Sequence, residues 1–180
     1  IIETDLTAHK VSRGDLFNPT VSATSYALNG GEGGDYNSVY VDGAECQIAQ
    51  SPNGRSFASW TSNLNSYTIT YSEPDPDKWA DEKNWWIQAF NQSDYAMTRV
   101  TPTKLDPVQK SIAIPSSTKL NNRFSKRWKA FNLLEELDMP GEFYVDHDTM
   151  KLYMYVPHTI ANSTVEFSVE SYALVEIIGT

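Results

Sequence analysis

The sequence predicts an all-β chain, an antiparallel sandwich or barrel, and three observations carry that expectation. Several short segments alternate apolar and polar residues with period two, the pattern of a strand with one face buried. Glycine, proline, aspartate and asparagine separate these segments at short intervals, as turns require. Only one region repeats with a helical period, so long helices are not expected. A chain of 180 residues can bury one core and falls short of the ~250 residues at which chains divide, so residues 1–180 read as a single domain.

Tyr67-Thr68-Ile69-Thr70-Tyr71 is the cleanest strand. Val165, Phe167 and Val169 alternate with Glu166, Ser168 and Glu170, and Ser111-Ile112-Ala113-Ile114 is a shorter instance. Val39-Tyr40-Val41 and Cys46-Gln47-Ile48 flank Asp42-Gly43, whose glycine accepts the positive φ of a tight turn, so a hairpin is expected there. Phe143-Tyr144-Val145 and Lys151-Leu152-Tyr153-Met154-Tyr155 enclose the turn formers Asp146-His147-Asp148-Thr149 and predict a second hairpin. The helical exception lies between Lys126 and Leu137, where Trp128, Phe131 and Leu134, joined by Leu133 and Leu137, recur at steps of three and four. That spacing predicts one short α-helix over 126–137. It should close at Asp138-Met139-Pro140-Gly141, because proline restricts its predecessor and Pro-Gly favours a type II turn. Asn29 to Asp35 reads as a flexible glycine loop and Glu73 to Asp77 as a stiffer acidic one. No repeat of fixed period supports a solenoid or propeller.

Lys and Arg total 14 against 23 Asp and Glu, a net charge of −9 that disfavours nucleic acid and anionic membranes as partners. No stretch approaches the ~18 apolar residues of a membrane span, and Ile1 to Asp5 lacks the basic start of a signal peptide; a soluble chain is expected. The single Cys46 reads as a buried small apolar group. The unusual number is the aromatic share of 12%, including five Trp, an excess that calls for a use.

Carboxylates abound in Glu135, Glu136, Asp138, Glu142, Asp146 and Asp148; glycoside hydrolysis would need two of them ~5–10 Å apart across a pocket, but such runs are usually solvated faces or turn caps. His9, His147 and His158 lack metal-ligand spacing, and no cofactor is expected. Asp75, Asp77 and Asp81, or Asp146 and Asp148, offer oxygen ligands for a structural calcium without the full pattern of a calcium loop. The glycines at 30–34 have no following lysine to cradle phosphate, and there is no GxSxG elbow. What remains is aromatic: Trp79, Trp85, Trp86 and Phe90, with Trp60 and Tyr95 nearby. Aromatic faces stack on sugar rings, so Trp79, Trp85, Trp86, Tyr95 and Trp60 are candidate glycan-binding residues; the competing reading is that these rings fill core. Adjacent strand residues point to opposite faces, so Trp85 and Trp86 cannot both be core in a two-sheet sandwich.

Longer stretches carry a resemblance. Asn132-Leu133-Leu134-Glu135-Glu136-Leu137-Asp138-Met139-Pro140-Gly141-Glu142-Phe143-Tyr144-Val145-Asp146, then Leu152-Tyr153-Met154-Tyr155-Val156-Pro157, resembles the N-x-L-E-E-L-D-x-P-G-E-W-Y-x-D and L-Y-Y-x-P-P signature of right-handed parallel β-helix carbohydrate-active proteins. Thr4 to Ala8, Val41 to Glu45, Ile48 to Asn53 and Trp86 to Ala96 resemble further stretches of that family. Gln50-Ser51, Ala89 and Tyr95 stand where the family has an arginine, a glycine and a second tryptophan.

The resemblance implies a jelly-roll-like sandwich inserted between rungs of a β-helix, with Leu174 to Thr180 as the re-entry into the next rung and the catalytic carboxylates on the helix itself. Pro140, Gly141 and Asn132 are then scaffold. It implies a non-catalytic carbohydrate-binding module of a polysaccharide-degrading protein, or alternatively an accessory domain that shapes the cleft of a β-helix glycoside hydrolase. The implied partners are a polysaccharide or oligosaccharide and the β-helix domain, and the implied location is secreted or cell-surface.

Overall fold

The computed structural model describes residues 1–16, 24–26, 37–65, 67–72, 75–91, 96–115 and 124–169. In chain order the strands are β1 (Ile2–Asp5), β2 (Thr24–Tyr26), β3 (Val39–Val41), β4 (Ala44–Glu45), β5 (Gln47–Ile48), β6 (Gln50–Ser51), β7 (Ala58–Asn65) and β8 (Thr68–Tyr71). They continue as β9 (Trp86–Asn91), β10 (Ala96–Val100), β11 (Lys104–Asp106), β12 (Ser111–Ala113), β13 (Phe124–Phe131), β14 (Glu142–Asp146), β15 (Lys151–Tyr155) and β16 (Val165–Phe167). Helical structure among the described residues is confined to short 3-10 turns such as Asp75–Trp79 and Leu134–Glu136. The fold is all-β and sandwich-like, as the alternation predicts.

The strands form three sheets. A nine-stranded sheet runs β11-β12-β8-β7-β13-β9-β10-β2 with β6 also on β13; a four-stranded sheet runs β1-β15-β14-β5; a three-stranded sheet runs β16-β3-β4. One core lies on one face of the large sheet and includes Trp60, Ile69, Trp79, Trp85, Ile87, Ile112 and Trp128. A second joins Val39, Val41, Ile48, Phe143, Val145, Leu152 and Met154 of the two smaller sheets with Trp86 of the large one. Strands β9 and β13 therefore bury side chains in both directions: Ile87, Ala89, Trp128 and Ala130 enter the first core, Trp86 and Phe131 the second.

That two-sided burial corrects the expected helix at 126–137. Residues 124–131 are β13, paired with β9 at Trp128↔Ala89 through Phe131↔Trp86. A strand buried on both faces reads as a nearly continuous apolar run, so its large side chains can fall at helical spacing by coincidence. Only one 3-10 turn, Leu134–Glu136, remains of the helix. The turn that follows is as expected: Glu142 N–H donates to Met139 O at 3.1 Å and Gly141 holds φ 93°, the type II geometry that favours glycine.

Both hairpins form. Asp42 and Gly43, at φ 51° and 77°, join β3 to β4, as a type I′ turn requires. The chain then leaves sooner than the sequence suggests, and β5 pairs in parallel with β14. Strands β14 and β15 pair from Glu142↔Tyr155 to Asp146↔Lys151, and the Arg13 guanidinium clamps their turn by donating to His147 O and Asp148 O. The glycine loop at 29–35 lies outside the described residues, and Cys46 is buried.

Candidate functional site

The tryptophans proposed as a sugar platform are interior. Trp60, Trp79, Trp85 and Trp86 are 3%, 1%, 6% and 3% exposed, and Trp128 is buried with them. Trp60 stacks on Trp128 at 6.4 Å, while Trp79 meets Trp85 edge-on at 5.6 Å and Trp128 at 6.3 Å. Trp86 lies on the opposite side, stacked on Phe131 at 5.5 Å. Trp85 and Trp86 do point to opposite faces, yet both are core, because the sheet between them has a core on each side. A ring closed in by other rings offers no face to a saccharide, so these four indoles do not form a platform. Tyr95 lies outside the described residues. Phe57 reaches the surface at 36% exposure, but Arg127 and Lys129 lie over its ring at 5.0 and 5.8 Å.

The acidic residues gather around the 3-10 turn. The buried Glu136 accepts the Trp79 indole N–H at 2.8 Å, and burial raises its pKa against that bond. Glu142, also buried, accepts the backbone N–H groups of Asp138 and Met139 at 3.1 and 2.9 Å; burial likewise raises it. Glu82 was not singled out by sequence, since nothing in its neighbourhood marks a lone glutamate. Its carboxylate accepts the N–H groups of Leu134 and Glu135, tying the segment after Trp79 to the turn. Burial, and then the neighbouring Glu135 carboxyl, push Glu82 up to about 8. Two carboxyls within hydrogen-bonding range leave no room for a sugar ring between them, so this pair lacks the spacing of a glycosidase.

Glu82 makes stability depend on pH. Its folded pKa of about 8 exceeds the ordinary 4.5, so between those values the folded chain holds a proton that the unfolded chain releases, and stability falls as pH rises through that window. Glu82→Gln keeps an acceptor for Leu134 and cannot ionise. Urea midpoints between about pH 5 and pH 9 should fall for the parent chain and much less for Glu82→Gln; parallel curves would refute the assignment.

Three of the aspartates considered for calcium are engaged within the protein. Asp77 accepts from Tyr71 and Lys110, Asp75 from Lys78, and Asp146 from the backbone of Asp148 and Thr149. Asn132, read as scaffold, sits at φ 61° directly after β13. Its side chain donates to Val145 O and accepts from Val145 N, both at 2.9 Å, and donates to Asn84 O at 3.2 Å.

A cavity of about 450 Å³ opens between the two smaller sheets. Its walls are largely aliphatic, and its polar lining is Thr4 and His9, whose side chains meet at 3.3 Å. Sequence reasoning misses it: alternation predicts a buried strand face for Val165, Phe167 and Val169, yet Val165 and Val169 are 39% and 43% exposed.

Among solved structures, a protein named "Glycoside hydrolase" matches with a TM-score of 0.55 and 16% identity over 71% of this chain and 26% of that one. This chain thus spans about a quarter of that protein's length, and the likeness is one of fold. No family model and no curated protein matches.

Proposed function

We propose that this chain is a non-catalytic accessory domain of a larger glycoside hydrolase, shaping or covering the cleft of a parallel β-helix domain and not capturing glycan on tryptophans of its own. The observation that carries the reading is a fold that recurs as about a quarter of a protein named glycoside hydrolase, in a chain whose five indoles are all buried. The carboxylates support it: Glu136 and Glu142 serve backbone and indole N–H groups inside the protein, and Glu82 and Glu135 crowd each other. The polysaccharide or oligosaccharide would be the substrate of the whole protein, and a location outside the cell or on its surface is part of the same proposal.

The isolated 180 residues on a broad glycan array should retain nothing above the blank, and aryl glycosides should not turn over. Specific retention of one glycan would restore the carbohydrate-binding module, with Tyr95 the first residue to replace. Turnover would overturn the non-catalytic assignment.

A further inference from the structure

Between Asp106 and Glu135 the sequence holds six Lys and Arg and not one carboxylate, so all 23 Asp and Glu of a chain with net charge −9 lie elsewhere. Strand β13 crosses this stretch. Its Trp128 and Ala130 enter the first core and Phe131 packs against the second, so strand alternation sets Arg127 and Lys129 on the Phe131 face. Along that face the strand passes from the buried Lys129 to the half-buried Arg127, which pairs with the exposed Ser59 of β7.

The loop that leads into β7 lies beside these two cations. Lys129 donates to Gly54 O. The Phe57 ring, 36% exposed, has the Arg127 guanidinium over it at 5.0 Å and the Lys129 ammonium at 5.8 Å. Arg55, exposed, sits between Gly54 and Phe57 in the same loop. A phenyl ring at the surface is thus surrounded by positive charge in a chain that is otherwise acidic. Lys129 is 4% exposed and bonds a neutral carbonyl. The carboxyl whose field it feels belongs to the buried Glu142, which burial disposes to keep its proton. An ammonium desolvated in this way beside a guanidinium is costly, and a bound anion offsets the cost.

The geometry points to a docking site for an anionic sugar residue at Arg55, Phe57, Arg127 and Lys129, so that the polysaccharide of the whole protein is an acidic one. This rests on the reading of the chain as part of a larger glycoside hydrolase. The planar donors of arginine match the paired oxygens of a carboxylate or a sulfate, and the ring beneath Arg127 holds its guanidinium in one plane. One such cluster attracts an oligosaccharide with a dissociation constant on the order of 1 mM, too weak for an array to retain through washing.

The test is therefore made at equilibrium, by following amide chemical shifts of the full chain. The probes are a hexasaccharide of galacturonic acid, a sulfated galactose hexasaccharide and the neutral galactose hexasaccharide. At least one acidic sugar should shift the amides of residues 54–59 and 127–129, and the tighter of the two identifies carboxylate or sulfate as the anion. A tenfold rise in salt should weaken binding by about tenfold or more, and the neutral sugar should leave these amides unmoved. Arg55→Glu, in an exposed loop, should abolish the shifts; Arg127→Gln should weaken binding at least about tenfold, and if that variant does not fold, Arg55→Glu decides alone. Shifts from the neutral sugar as large as from the acidic ones, the same shifts from inorganic sulfate, or none from any sugar would overturn the proposal. So would shifts from a hexapeptide of glutamate alone, which would make the cluster a contact for an acidic protein surface. None of these results touches the accessory-domain reading, which falls on retention by the array or turnover of aryl glycosides.

Discussion

Trp79→Ala is expected to lower the unfolding free energy by roughly 3–5 kcal/mol, the range for truncating a fully buried tryptophan. The indole is 1% exposed and touches both Trp85 and Trp128, so its removal opens a void that rigid rings cannot collapse to fill. The substitution also strips Glu136 of its indole donor. Trp79→Phe separates the two effects: most of the ring volume stays, the N–H goes, and a deficit of about 1–3 kcal/mol is expected for a buried acceptor left unsatisfied. That deficit has a sign with pH. Burial raises the Glu136 pKa and the Trp79 hydrogen bond lowers it, so losing the bond moves it further up. The folded variant then keeps its proton to higher pH, and its deficit should be smaller near pH 4 than near pH 7. Urea unfolding at both values checks this; an equal deficit would mean that the indole N–H does not govern the carboxyl.

Asn132→Ala should cost about 2–4 kcal/mol, because it orphans the buried N–H and C=O of Val145 together and leaves alanine in the left-handed region. The amide completes both Val145 bonds at 2.9 Å, acting as a one-residue piece of strand where the chain leaves β13. Its φ of 61° is tolerated by asparagine more readily than by alanine. Asn132→Gly removes the side chain without the backbone strain and should recover about 1 kcal/mol relative to alanine. A glycine variant no more stable than the alanine one would assign the whole loss to hydrogen bonding. Chemical denaturation of the three proteins supplies the comparison.

The sequence carries the structure legibly wherever that structure depends on local chemistry. Asp42-Gly43 turns between β3 and β4, Pro140-Gly141 makes its type II turn, and Asp146 to Thr149 joins β14 to β15, because turn geometry is set by backbone preferences of the residues in the turn. Tyr67 to Tyr71 alternates cleanly because Ile69 and Tyr71 face a core on one side only. The failures occur at β9 and β13. There, apolar side chains leave in both directions, and a period of two disappears from the pattern. Trp128 and Phe131 then mimic a helix turn, and the adjacent Trp85 and Trp86 suggest that one of them must be wet.

The candidate site was legible only as residue types. Tryptophan content says that large apolar faces must be placed somewhere; whether they meet sugar or each other depends on how many layers the chain builds. Glu82 and Glu135 are more than fifty positions apart in sequence, and no periodicity links them.

Strand alternation and turn chemistry, written in the order of the amino acids, were enough to determine that this protein is all-β and where several of its hairpins close. The stacking of a third sheet against the back of the large one was decided by tertiary structure alone. That stacking enclosed Trp86 on the face opposite the other four indoles, because burial is a property of what lies opposite a side chain, and the facing residue is rarely a neighbour along the chain.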